Sequence, residues 1–490
     1  MSCSFLSIDI FDKEVYLMRI EYDALGESLL DDAVYYGIQT QRAKENFDIS
    51  NKTISDIPYF VSSIAQIKKA AAIANYNVGA LEEPIYKAIC QAADEVIVNP
   101  DAASFCIDVY QGGGGTSANM NLNEELANRA NEILTDHKGY DTVHPNTHVN
   151  MGQSTNDVIP SAMKLTVYQT LEVLEQRLID FTVSLKRKEH EFNEVVKLGR
   201  TCFQDALPIT LGQQFSGYRS AFERMIVDVR NVRKLCLELP LSATAVGTEF
   251  GTFKGYKENL YASLQQVTGL DVVVEDNLFD GLQNADIWVK VSAVTKAVAL
   301  NLNKLSSDLR IMSSGPRAGL GEIRLPAVQP GSSIMPGKVN PVMPEMAMQV
   351  YFRVLGNDVS VTRACEGELD LNVWEMLILN CVTESCGLLS RCLPLLAEKC
   401  IDGIQVNQEK CLQDAEQSIA LSTVIATLFD YQTASKIAKQ AELENKTIKE
   451  VVVESGIMSQ EEAETFLNPL MMTSPERFNT FFNTKWKNRE

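Results

Sequence analysis

No Cys-x-x-Cys pair occurs in this chain, although it carries eleven cysteines, at positions 3, 90, 106, 202, 236, 365, 381, 386, 392, 400 and 411. Histidine is scarce as well: the four are His137, His144, His148 and His190, and none stands at zinc-finger spacing from a cysteine. A metal centre is therefore not expected, and scattered thiols fit a reducing compartment, the cytoplasm. No apolar run reaches membrane-spanning length, and the first residues lack the basic-then-apolar order of a secretion signal. Positive charge is in deficit, with 44 Lys and Arg against 64 Asp and Glu, a formal net charge of −20. Nucleic acid and anionic membranes are poor partners for such a chain, and an anionic substrate needs its positive charge supplied locally.

What remains is the composition of an ordinary globular protein, 45% hydrophobic and 22% charged. A length of 490 residues allows about three domain-sized units. Residues 1–17 (MSCSFLSIDIFDKEVYL) share no texture with the rest of the chain and read either as an extension or as an upstream misassigned start, Met18 being the alternative. Residues 18–155 read as a mostly helical N-terminal domain, with Ala-rich helices between 58 and 98. The stretch 156–408 reads as a central domain of long helices, and 409–490 as a small helical C-terminal domain. The fold class expected is mainly all-α.

The long helices are legible as apolar seams. After Pro160 there is no Gly or Pro until Gly199, and Val167, Leu171, Leu174, Leu178, Phe181 and Leu185 recur at alternating steps of four and three. A second seam runs from Phe215 through Tyr218, Phe222, Met225, Val229 and Val232 to Cys236, and a third from Ile287 to Met312. Met, Cys and aromatic residues on such seams are expected to be core. A single helix over 161–198 would hold Ser154 and Thr201 roughly 55 Å apart at about 1.5 Å per residue. If both act in one pocket, neighbouring subunits must complete it.

Three polar stretches interrupt this pattern. Gln329 to Pro341 holds three prolines and two glycines in thirteen residues, which excludes regular structure, and carries Ser332, Ser333, Lys338 and Asn340. It is not a phosphate-binding P-loop: five residues separate Gly331 from Gly337, and Val339 follows the lysine. The second stretch, Gln111 to Asn121, has four consecutive glycines ahead of Thr116 and a helix near Glu124. The third, Met151 to Asp157, is ended by Pro160; its Ser154, Thr155 and Asn156 are also ordinary helix-capping residues.

The stretch Gly331-Ser332-Ser333-Ile334-Met335-Pro336-Gly337-Lys338-Val339-Asn340-Pro341 resembles the mobile loop of the aspartase/fumarase superfamily. Further matches lie at Tyr35-Tyr36-Gly37, the glycine stretch with Thr116, Gln153 to Asp157, Thr201 with Gln204-Asp205, Ala245 to Thr248 and Ser314 to Leu320. The resemblance implies three mostly helical domains and a homotetramer built on the long helices, with each active site drawn from three chains. Ser-Thr-Asn at 154–156, Pro341-Val342-Met343-Pro344-Glu345 and Leu371-Asn372-Val373 followed by Glu375 resemble aspartate ammonia-lyases, whereas Gly321 to Pro326 is closer to fumarase. The activity implied is β-elimination of ammonia from L-aspartate to give fumarate, without metal or cofactor. Ser332 would be the base, with Thr116, Ser154, Thr155 and Ser333 on the β-carboxylate. Lys338, Asn340 and Thr201 would hold the α-carboxylate, with Asn156 and Thr116 on the amino group. Where relatives carry His or Gln after Thr201, this chain has Cys202, which the resemblance places among the substrate-binding residues as a poorer partner for a carboxylate and whose bland reading is a small apolar filler. Lys338 as a pyridoxal-phosphate lysine lacks that cofactor's other elements, and no Ala-Ser-Gly triplet exists to form an internal electrophile. Fumarase, a lyase releasing another amine, and a non-catalytic structural homologue are the alternative readings.

Overall fold

The computed structural model describes residues 18–483, so the segment 1–17 lies outside the described residues. A hairpin of β1 (Met18–Asp23) and β2 (Gly26–Asp31) is followed by the helices α1 (Ile38–Asn46), α2 (Phe60–Asn77), α3 (Glu83–Val98), α4 (Thr116–Thr135) and α5 (Thr155–Glu191). A second hairpin, β3 (Val196–Thr201) and β4 (Gln204–Thr210), leads into α6 (Leu211–Leu235). Then come α7 (Tyr256–Thr268), α8 (Leu278–Gln283), α9 (Asp286–Met312), α10 (Val342–Ala364), α11 (Glu375–Lys399) and α12 (Gln408–Gln417). Shorter helices between 422 and 481 close the chain, those from 421 to 467 around a hydrophobic core of their own. The fold is mainly helical, as the seams imply.

Two compact units emerge, each assembled from separated stretches. Of the described residues, one holds 18–172, 231–292 and 357–384; the other holds 173–230, 293–356 and 385–483. In the first, α2 packs on α3 and α7, and α4 on α1 and α3. The Tyr35-Tyr36-Gly37 motif serves this packing. A Cβ on Gly37 would stand 2.0 Å from Tyr140 Oη, so only glycine fits. The start of α1 has no cap of its own. Buried Glu124 on α4 accepts instead from the N–H groups of Gly37, Gln39 and Thr40 at 3.0, 2.8 and 3.1 Å.

The seam of α5 is core throughout, from Val167 to Leu185, with every one of its six members at most 1% exposed. In the second unit Phe181 meets Phe222 of α6 edge to face, ring centroids 4.9 Å apart.

Three expectations need correction. The helix begins at Thr155, not after Pro160, and carries that proline inside it; its flanks, Val158, Ile159, Ser161 and Ala162, are fully buried, and that packing outweighs the lost hydrogen bond. It ends at Glu191 rather than 198, because 196–201 pairs with 204–210, a partner that no local pattern announces. Finally, one helical stretch, Glu375–Gly403, is long and apolar enough to cross a bilayer, but 67% of its window is buried inside the protein, as suits a core helix.

Truncating Phe222 to Ala should cost about 3–5 kcal/mol, since a fully buried ring leaves a cavity behind. Guanidinium unfolding of wild type and variant side by side checks this.

Candidate active site

In the first unit, Gly113, Gly114 and Gly115 all have left-handed backbones, at φ 81, 59 and 79. This run is what three of the four glycines are for, since any other residue at those positions would be strained. It turns the chain into α4, whose first residue is Thr116 itself rather than the residue after it. Thr116 N and Oγ1 both donate to the Gly113 carbonyl, at 3.1 and 2.8 Å, and the side chain is exposed.

Beside it stands the start of α5. Ser154 does cap the helix: its Oγ accepts from Asn156 N at 3.2 Å, while its own N–H donates to Asp157 Oδ1 at 2.9 Å. Asn156 Nδ2 donates to the Ala245 carbonyl at 2.7 Å, and Thr155 Oγ1 accepts from Asn119 Nδ2 at 3.1 Å. Pro160 has no N–H, so the helix offers the Asn156 carbonyl no donor four residues on. Thr116, Ser154, Thr155 and Asn156 thus belong to one unit.

Beneath them lies a buried polar network that motif spacing does not disclose. Asn150 Oδ1 accepts from Lys68 Nζ at 2.9 Å and from Asn119 and Asn123 at 3.2 Å each. Lys68 and Asp157 are both fully buried. Desolvation pulls the lysine down to about 7 and pushes the aspartic acid up to about 7, each countered by attraction to the other. Asp157 Oδ2 also accepts from Thr244 N at 2.9 Å. The available signal was α4 itself: five asparagines within twenty residues are costly in a helix unless they are buried and bonded.

In the second unit, residues 329–341 form the loop that their prolines and glycines dictate. Gly331 N donates to the Lys338 carbonyl at 2.9 Å, and Asn340 Nδ2 to the Gly331 carbonyl at 2.8 Å. A Cβ on Gly331 would stand 2.4 Å from that same Lys338 carbonyl. Ser332 Oγ accepts from two N–H groups, Ile334 at 3.2 Å and Met335 at 3.0 Å. Ser333 and Lys338 are exposed, and a cavity of about 380 Å³ opens along the loop between Ala327 and Val339.

Thr201 and Cys202 sit at the tip of the β3–β4 hairpin. Cys202 and Phe203 form its two-residue turn with φ of 52 and 59, a conformation that favours Asn and Gly. Cys202 is exposed, so it is no apolar filler. The hairpin is anchored by Glu322, fully buried, which accepts from Arg200 at 2.6 Å with Lys197 Nζ 3.2 Å away.

A family model described as lyase matches residues 30–356, and one described as fumarase C C-terminus matches 421–474. The chain belongs to the aspartase/fumarase superfamily of lyases. Curated relatives include a protein named aspartate ammonia-lyase from Helicobacter pylori, 43% identical over 94% of this chain and 99% of its own length. Another of that name from Bacillus subtilis is 42% identical over 93% and 96%. Among solved structures, a fumarate lyase:delta crystallin from Brucella melitensis superposes with a TM-score of 0.92 at 44% identity, covering 94% of this lyase and all of that chain.

Asp157 is the anchor most open to test in this lyase. Asp157→Ala strands two N–H groups, the part-buried one of Ser154 and the buried one of Thr244. It should lower unfolding free energy by at least about 2 kcal/mol, with Asp157→Asn losing less because it keeps one acceptor. Urea denaturation of the two variants separates these costs.

Proposed function

We propose that this chain is an aspartate ammonia-lyase, carrying out the reversible β-elimination of ammonia from L-aspartate to give fumarate. The observation that carries the reading is 43% identity with a protein of that name across 94% of the chain. A dicarboxylate substrate also answers the charge problem, since the candidate site offers hydroxyls, amides and Lys338 in a chain of net charge −20.

The chemical difficulty is carbon acidity. Removing the Cβ proton places a second negative charge on the β-carboxylate, and only fixed donors around that carboxylate make this accessible. Thr116, Ser154, Thr155 and Ser333 fill this role in our reading, and Ser332 takes the proton. The electron pair left on Cβ then forms the double bond as the C–N bond breaks and ammonia departs. A serine serves as base only if its oxyanion is stabilised. The N–H groups of Ile334 and Met335 already point at Ser332 Oγ, which supports the assignment. Lys338, Asn340 and Thr201 hold the α-carboxylate, and Asn156 and Thr116 the amino group. Cys202, standing where relatives carry His or Gln, donates more weakly to a carboxylate. The loop 329–341 closes over the substrate and reopens for release.

The groups on α5 and those on the loop belong to different units, and α5 is unbroken for 37 residues, about 55 Å of axial rise. We therefore propose a homotetramer in which neighbouring subunits complete each site. Phe352, Leu355 and Val359 recur along one face of α10 at 56, 40 and 65% exposure, an apolar stripe that supports association through the long helices. Cys90, Cys106, Cys236, Cys392, Cys400 and Cys411 are unbridged, which supports a cytoplasmic location.

Fumarate formation from L-aspartate, followed by ultraviolet absorbance, tests the reading. Ser332→Ala should lower kcat at least about a hundredfold with little change in KM; turnover of L-malate but not L-aspartate would move the assignment to fumarase. Mixing inactive Ser332→Ala with inactive Ser154→Ala subunits should restore part of the activity after reassembly. No recovery would sink the shared site.

A further inference from the structure

The first turn of α11 brings a carboxyl that the elimination chemistry leaves unused against the glycine turn leading to Thr116. Glu375 is 4% exposed, and its Oε2 is buried without a hydrogen-bond partner. That oxygen stands 3.4 Å from the point where a Cβ on Gly114 would sit, with Leu371 Cδ2 at 3.8 Å and Val373 Cα at 3.9 Å around the same point. Because Gly114 has no side chain, the carboxyl abuts the main chain of the turn itself.

Charged groups on the neighbouring segments are engaged elsewhere. Lys52 donates to Asn380 Oδ1 on α11 at 2.6 Å, Asp108 accepts from the N–H groups of Ser50 and Tyr110, and Asp157 from those of Ser154 and Thr244. Glu368 and Asp370, on the approach to α11, are exposed. Among the described residues an ionised carboxylate in this place would find no counter-ion, and only its own backbone N–H to replace the water it lost. Burial accordingly pushes the Glu375 acid up to about 8, with only its own backbone N–H pulling the other way. A substrate that brings two carboxylates to this end of the site would suffer further repulsion from a third.

We propose that Glu375 is a positioning residue of the active site, held uncharged so that it supports the Gly113–Thr116 turn and leaves that floor free of negative charge when a dicarboxylate binds. The proposal rests on the lyase reading for the identity of the ligand. Its consequence is a linkage: a dianion binds best to the protonated form, so affinity holds below the acid's ionisation and falls as pH rises through it.

The test uses the full chain and succinate, a dicarboxylate that lacks an amino group and so cannot eliminate ammonia. Calorimetric titration in two buffers of different ionisation heat counts protons taken up on binding, from about pH 7 to about pH 9.5. Wild type should take up a proton in the alkaline range, and its Kd should rise roughly tenfold over the last pH unit. Glu375→Gln, which mimics the neutral acid in shape, should keep the Kd that wild type shows near neutrality and lose both the uptake and the alkaline weakening. Any contribution from Lys68 or Asp157 persists in the variant and is subtracted by the comparison. Equal pH dependence in the two proteins overturns the proposal, as does a wild type that binds succinate with no proton uptake. A variant that binds succinate normally but L-aspartate poorly also overturns it, assigning the carboxylate to the substrate's ammonium. Fumarate assays on the same samples keep the two ideas apart: absent turnover with intact, proton-linked succinate binding would fault the lyase reading alone.

Discussion

One unbroken helix governs this protein. The 37 residues of α5 separate Thr155, in its first turn, from Glu191, in its last, by about 55 Å of rigid backbone. Its seam is sealed against solvent from Val167 to Leu185, so its ends cannot approach each other without dismantling the core. The capping turn at 154–157 finds its partners in Thr244 and Ala245 of the same unit, whereas the hairpin at 196–210 leaves the helix past Glu191 and belongs to the other unit. The proposed exchange of half-sites between subunits rests on this length.

The second governing constraint is charge. A chain with twenty more acidic than basic side chains still needs to hold a doubly negative substrate. It manages its buried carboxylates in three different ways. Glu322 is matched by Lys197 and Arg200. Glu124 and Asp157 are met by backbone N–H groups at helix starts. Glu375 has no counter-charge or donor on its buried oxygen, and the economical state for such a group is neutral. The proposed site offers a ligand hydroxyls, amides and the exposed ammonium of Lys338. Such groups gain most when a closing loop removes water around them.

Legibility in the sequence varied with the range of the interaction that decided each feature. The seams of α5, α6 and α9 could be read because a buried face repeats every three or four residues, and the repeat survives in any context. The polar stretches could be read because consecutive glycines, prolines and capping residues are rare in combination. The hairpin at 196–210 could not, since β-pairing is a contract between two segments and neither alone carries its signature. The exposure of Cys202 was hidden for a related reason: a small thiol can pass for an apolar filler until a left-handed turn places it in solvent.

By itself the sequence determined the helical class, the loop at 329–341, the polar residues offered for chemistry and membership in the superfamily, because each is written in local spacing or in contiguous motifs. Only the tertiary structure decided where those residues stand. It put Asn119, Asn150 and Lys68 beneath the hydroxyls of the capping turn and set Ser332 Oγ under two N–H groups. It also brought the carboxyl of Glu375 against a glycine some 260 residues earlier in the chain. Burial, and with it the charge state of every such group, is a property of neighbours distant in sequence, and no reading of spacing along one strand of residues contains it.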